Sequence, residues 1–340
     1  MNSSTSLSYE QEYSTPSCNE VLEITFQCLN LITGAITLSG NLLVFAAIVS
    51  SSRLRQRPMN QFLTSLAVTD IIMGSCISPG YSIFCVGCMD YSFSKSCWLM
   101  KATKDIALAS SIYNLLAISA DRCLAVYWPL RYATLMTKGR VISILSSTWG
   151  ISFIIAAIRI YWEHTKSGAE LDAINSLYNN ILLICVLLLP SLVISVINVK
   201  IILTIRDQAR QVFAIRNAQA RSQADTENPD VTLEEVARKR KGTLACALVV
   251  IVFVISWIPR ICFNIQFFMK GDLGKVDVLL QKLSMFFFGV QSSINPFIYS
   301  LLRADFRQAA RKLLRMKNSR NVHSLVRQPR VNNVDRESII

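Results

Sequence analysis

The chain has 340 residues and a formal net charge of +13, with 52% of its residues hydrophobic and only 17% charged. Soluble domains average about 25% charged residues, so this composition argues against a water-soluble globular protein. The positive charge comes without aromatic-basic interleaving or a nucleic-acid module, so no nucleic-acid partner is expected.

The apolar residues fall in blocks near Glu23–Val49, Asn60–Val86, Trp98–Val126, Val141–Tyr161, Leu177–Ile205, Gly242–Met269 and Val276–Leu302. Each reaches the ~20 residues that cross a bilayer. Only helices or closed barrels satisfy their backbone in lipid, and uniformly apolar runs of this length mean helices. The expected fold is an all-α membrane protein, a seven-transmembrane helix bundle.

Lys and Arg set its orientation. Arg53, Arg55 and Arg57 follow the first block, Arg131, Lys138 and Arg140 the third, and a run from Arg206 to Lys241 the fifth, whereas the opposite connections are mixed or acidic. The amino terminus is therefore expected outside and the carboxyl terminus in the cytoplasm. Residues before Cys18 lack the apolar core of a cleavable signal peptide, so the first helix itself is expected to direct insertion. Asn2 opens a glycosylation sequon on the outer side.

In chain order, the first helix carries Gly40-Asn41 and the second carries Asp70. A carboxylate in mid-membrane needs a partner, an ion or a proton. Asn41, Ser111 and Asn295 supply polar company, which reads as a shared pocket around a cation such as sodium; the plainer alternative is hydrogen bonding between helices. The third helix ends in Asp121-Arg122, an ion pair where a membrane helix meets the cytosol. Trp149, Pro190, Trp257-Ile258-Pro259 and Asn295-Pro296-Phe297-Ile298-Tyr299 follow on later helices, and each interior proline removes a backbone hydrogen bond and kinks its helix.

Together Gly40-Asn41, the LAVTD ending at Asp70, Cys97, Asp121-Arg122-Cys123, Trp149, Pro190, SWIP through Pro259 and NPFIY through Tyr299 resemble the rhodopsin-like (class A) G-protein-coupled receptors. The stretches RPMNQFLTSLAVTD and AVYWPLRYATLMTKGRV look most like the amine, adenosine and melanocortin receptor neighbourhood. The resemblance implies an outer tail over 1–22, the bundle over 23–302, a short cytoplasmic amphipathic helix over 303–315 and a cytoplasmic tail over 316–340. It also implies a plasma-membrane receptor rather than an enzyme, embedded in membrane lipids, that binds an extracellular small molecule or peptide and acts on a heterotrimeric G protein. Arg122 would contact that protein, with Asp121, Asn295, Pro296 and Tyr299 in the switch.

Departures from the family pattern are informative. The seventh-helix lysine that holds retinal in opsins is Gly289 here, so no retinal is expected. Lys239 stands where the family often has a Glu to pair with Arg122, and Asn198 replaces a Tyr on the fifth helix. Both affect how firmly the resting and active states are held, and with Lys239 a like charge facing Arg122, signalling without ligand is expected. The cysteine that usually joins the second outer loop to Cys97 is missing, and among Cys18, Cys28, Cys85 and Cys88 the flexible Cys18 is the expected partner.

Lys104 and Arg260 are expected to project into a ligand pocket with Asp105, Leu108, Trp257, Ile261, Asn264 and Met285. Unpaired cations in a low-dielectric cleft need neutralising. Asp105 and Glu163 are internal candidates, but with Arg159 nearby the bases outnumber the acids. An anionic ligand is the favoured reading, with an amine held by Asp105 as the alternative. Two other classes stay open: a transporter, against which there is no internal repeat, and a receptor-like protein that does not signal through G proteins. The terminal Ser338-Ile339-Ile340 resembles a PDZ-domain ligand.

Overall fold

The computed structural model describes residues 19–81, 85, 96–221, 248, 251–252, 254–270, 275–303 and 305–314. Seven long helices make the bundle: α1 (Glu20–Val49), α2 (Pro58–Ile72), α3 (Cys97–Tyr127), α4 (Lys138–Thr165), α5 (from Gly168–Ile181 on to Leu189–Arg221), α6 (Ile258–Lys270) and α7 (Lys275–Leu302). A further helix, α8, covers 305–314. α3 is central and packs on α2, α4 and α5, while α1 lies against α2 and α7, and α6 against α7.

Local chemistry explains the helix ends. Asn19 caps α1 by accepting from the Leu22 amide at 3.1 Å, and Glu20 and Glu23 in the first turn complement the helix dipole. Thr137 caps α4 through the Arg140 amide. Two wide π-helical segments, Met73–Ile77 after α2 and Leu182–Leu188 within α5, each run up to a proline, Pro79 and Pro190. A proline cannot donate to the carbonyl four residues back, and a widened turn before it absorbs the mismatch.

Four of the described helices, 20–49, 58–81, 138–165 and 168–208, are long and apolar enough to cross a membrane. Their outer faces carry Ile24, Ile32, Ile151, Phe153, Leu189 and Leu192 in the open, an arrangement suited to hydrocarbon rather than water. α3 is more polar because it is interior: Lys104, Asp105, Ser110, Ser111, Asn114, Ser119 and Asp121 are all buried among its neighbours.

Small residues let the helices close in. The backbones of α1 and the π segment approach so tightly that a Cβ on Gly34 would lie 2.9 Å from the Gly74 carbonyl oxygen. Buried Glu23 accepts from Lys282 Nζ at 2.5 Å, which ties the first turn of α1 to α7. This pair was not anticipated from sequence, where Glu23 reads as a helix-end residue.

One boundary differs instructively from the sequence reading. α5 begins at Gly168 rather than near Leu177, so the acidic stretch with Glu170 and Asp172 is helix, not loop. Only Lys166 and Ser167 then join α4 to α5, and Gly168 makes the turn with φ +57°.

Candidate functional site

A cavity lies between α3, α5, α6 and α7. Lys104, Leu108 and Ile112 descend one face of α3 at successive turns, and the π segment of α5 turns Leu182, Leu183, Val186 and Leu187 to the same space. Trp257 and Phe288 form its floor, with ring centroids 4.4 Å apart. Of the residues expected from sequence, Lys104, Asp105, Leu108, Trp257, Arg260 and Met285 line it. Ile261 and Asn264 do not. Ile261 packs into the apolar core, and Asn264, a turn further out, reaches Asn180 on α5 at 3.4 Å.

The cavity's acid is already taken. Arg159 of α4, 2% exposed, donates through Nε to Asp105 Oδ2 at 2.5 Å, through Nη2 to Asn179 at 2.8 Å and through Nη1 to Asn175 at 3.2 Å. Its guanidinium lies 4.5 Å from the Tyr178 ring centroid, and Tyr178 Oη donates to Asp105 Oδ2 at 3.1 Å. Asn175, Tyr178 and Asn179 meet one arginine because i, i+3 and i+4 share a helix face. That spacing is the sequence signal for these residues, and it is concealed when the polar stretch before Leu177 is taken as loop. Glu163 is not a pocket neutraliser either, since it accepts from Lys101 at 2.9 Å and from Asn175 at 3.2 Å.

Lys104 and Arg260 make their closest contacts with aromatic rings. Lys104 Nζ donates to Tyr81 Oη at 3.2 Å and lies 4.6 Å from that ring's centroid, while Arg260 sits 5.1 Å from the Phe263 ring. Among the described residues neither cation has a carboxylate partner.

The expected disulfide is corrected. Cys97 is bonded to Cys85, with their Cα atoms 5.1 Å apart, and not to Cys18, which lies outside the described residues together with Asn2 and the Ser338–Ile340 tail. Cys85 is only 12 residues away in sequence. Closing so short a loop restricts the chain far less than recruiting a distant tail.

Asp70, 1% exposed, accepts from Asn295 Nδ2 at 2.8 Å. Asn41 donates to the Ser292 carbonyl at 3.1 Å and the Thr37 carbonyl at 2.9 Å, so it fastens α1 to α7. Among the described residues, Ser111 Oγ and Asn295 Oδ1 are buried without a hydrogen-bond partner. The Asp70 carboxylate held by Asn295 offers oxygen donors of the kind a hard cation takes.

Residues 40–299 match the family described as 7 transmembrane receptor (rhodopsin family). The chain belongs to that family. It is similar to the histamine H2 receptor of Cavia porcellus, 29% identical over 335 residues that cover 91% of this chain and 89% of the relative. It is also similar to the histamine H2 receptor of Homo sapiens, 29% identical with 88% and 82% covered. The adenosine receptor A2b of Bos taurus is 29% identical, with 87% and 91% covered. The protein is thus a rhodopsin-like G-protein-coupled receptor, a multi-pass protein of the plasma membrane and not an enzyme.

At the receptor's other end Asp121 is fully buried. Arg122 folds back on it, donating through Nε at 3.0 Å, and Tyr132 Oη donates to Asp121 Oδ1 at 2.6 Å. Burial and this bond to a carboxylate both push the Tyr132 phenol up from its ordinary value. Asn198 donates to Ser119 Oγ at 2.9 Å, so it joins α5 to α3. Pro296 lies inside α7 against Gly40, and Trp149 Nε1 donates to Ser65 at 3.0 Å. Lys239 and the Tyr299 side chain lie outside what is described.

Proposed function

We propose that the receptor stands with its amino terminus outside the cell, binds a ligand bearing a carboxylate or phosphate in the cavity between α3, α5, α6 and α7, and activates a heterotrimeric G protein through the end of α3. One observation carries the ligand reading: Lys104 and Arg260 line the cavity without a carboxylate, while its acid, Asp105, is held by Arg159. Two cations in a low-dielectric cleft favour an anion, and Arg grips one in a bidentate fork. A ligand acts only by its differential affinity for resting and active states. Here the active state frees Arg122 from Asp121 for the G protein.

The competing reading, an amine on Asp105, is supported by the likeness to receptors named for histamine. It places the ammonium on Asp105 beside Arg159 and Tyr178, which both bond its Oδ2 oxygen. One set of variants separates the two by guanine-nucleotide exchange in membranes, with small acids and amines as probes. Arg260→Ala and Lys104→Ala abolish the response if the ligand is an acid. Intact potency in both, with loss in Asp105→Asn, would mean an amine.

The polar group at Asp70 and Asn295, with Ser111 on α3, is proposed to hold a sodium ion, supported by the buried carboxylate and the unsatisfied Asn295 oxygen. The carboxyl-terminal Ser338-Ile339-Ile340 is proposed as a PDZ ligand, and amidating Ile340 should abolish such capture.

A further inference from the structure

We infer that the ligand is an amphiphilic acid, with its head between Lys104 and Arg260 and an apolar body running down to Trp257 and Phe288. The inference rests on the anionic reading above and adds the ligand's other half.

The cavity is graded along the bundle axis. On α3, Lys104 and Asp105 lie outward of Leu108 and Ile112; on α5, Asn179 lies outward of Leu183 and Val186; on α6, Arg260 lies outward of Trp257. α7 contributes Met285 and Phe288, both apolar. Two helices running inward and one running outward thus place every charged or amide side chain of the wall at one level and none below it.

The polar level is also partly spent within the protein. Asp105 and Asn179 both accept from Arg159, at 2.5 and 2.8 Å. A polar heterocycle seated lower would leave its own donors and acceptors against Leu, Ile, Val and Phe, and an unmet buried polar group is costly. An alkyl or aryl body gains with every methylene it buries. The wall therefore selects an apolar body as firmly as the two cations select an acid.

The test uses full-length receptor in lipid nanodiscs, its thermal unfolding followed with butyrate, hexanoate, octanoate and decanoate, and with the matching alcohols, octylamine and succinate. Binding to the native state raises the midpoint as ligand increases. Affinity is expected to rise about fourfold per added methylene, the factor that methylene transfer implies. Arg260→Ala should weaken octanoate at least about tenfold, the loss of a single charged contact. Arg260→Lys, which keeps the charge, should retain most of the affinity and shows that the position tolerates change.

The outcomes are distinct. A flat chain-length series, or succinate as tight as octanoate, with Arg260→Ala still weakening both, overturns the amphiphile and leaves the acid reading standing. Octanol or octylamine binding as tightly as octanoate overturns the acid head itself. If none of the acids shifts the midpoint, both readings fail.

Discussion

Gly40 and Pro296 meet so closely that a Cβ on Gly40 would stand 2.9 Å from the proline Cγ. The proline ring cannot swing aside, so the contact fixes how near α1 sits to the bend in α7. Gly40→Ala is expected to lower receptor stability by about 1–3 kcal/mol, the range for overpacking a filled site. Thermal unfolding of purified receptor measures it, and an unchanged midpoint would mean that α1 moves freely there.

Tyr132 and Arg122 share the carboxylate of Asp121, so removing the phenol loosens the resting arrangement. Tyr132→Phe deletes a bond to a charged group, worth about 1.5–3 kcal/mol. Nucleotide exchange without ligand should rise by about tenfold or more. Basal exchange equal to the parent's would show that this bond does not hold the resting state.

The Glu23–Lys282 pair is buried on both sides, with side chains 12% and 4% exposed. Glu23→Gln strands a buried ammonium, and breaking a buried pair costs about 3–5 kcal/mol. The double variant Glu23→Leu with Lys282→Met should recover most of that loss. A double variant no better than the single one would show that the two residues are not coupled.

Arg159 decides what Asp105 is free to do. Arg159→Gln leaves Asp105 without its guanidinium partner while keeping a polar side chain. The expected outcome is a gain of response to amines and a fall in response to acids. Ligand-selective exchange in membranes reads both, and a variant with the parent's preference would separate Arg159 from specificity.

At α8, burial works against the charged Asp305 carboxyl, but the Arg303 side chain and the Phe306 amide outweigh it and hold the group below its ordinary value of 3.8. Its folded value is depressed, so its stabilising contribution is present above the ordinary carboxylate range and fades as pH falls through the folded value. Hydrogen exchange over 305–314 should quicken in acid, and Asp305→Asn should remove that dependence. Equal pH dependence in the two proteins would sink the assignment.

How much of this was legible in the sequence differs by residue. The apolar blocks announced the bundle because a bilayer demands ~20 apolar residues whatever the neighbours are. Lys104, Asp105 and Arg260 could be placed at the cavity because the family resemblance, counted from Arg122 and Trp257, puts them there. What the sequence could not show was which face of α4 meets α3, and so that Arg159 closes on Asp105. The start of α5 at Gly168 was hidden for another reason. Its first turns are polar and lie beyond the apolar run, with Glu170 placed to favour the helix amino terminus. Cys85 is hidden as the partner of Cys97 because a flexible tail at Cys18 has the reach, whereas the short 12-residue loop to Cys85 has the proximity.

The two-residue join of Lys166 and Ser167 also bears on timing. In many enzymes and receptors a bound molecule leaves only when a covering segment opens, and that motion sets the rate. No segment between α4 and α5 is long enough to fold over the cavity. Departure past that side is governed by the contacts of the ligand itself, so weakly held ligands give brief occupancy. On the side of α4 and α5, release is expected to follow a falling concentration promptly instead of remembering an earlier pulse.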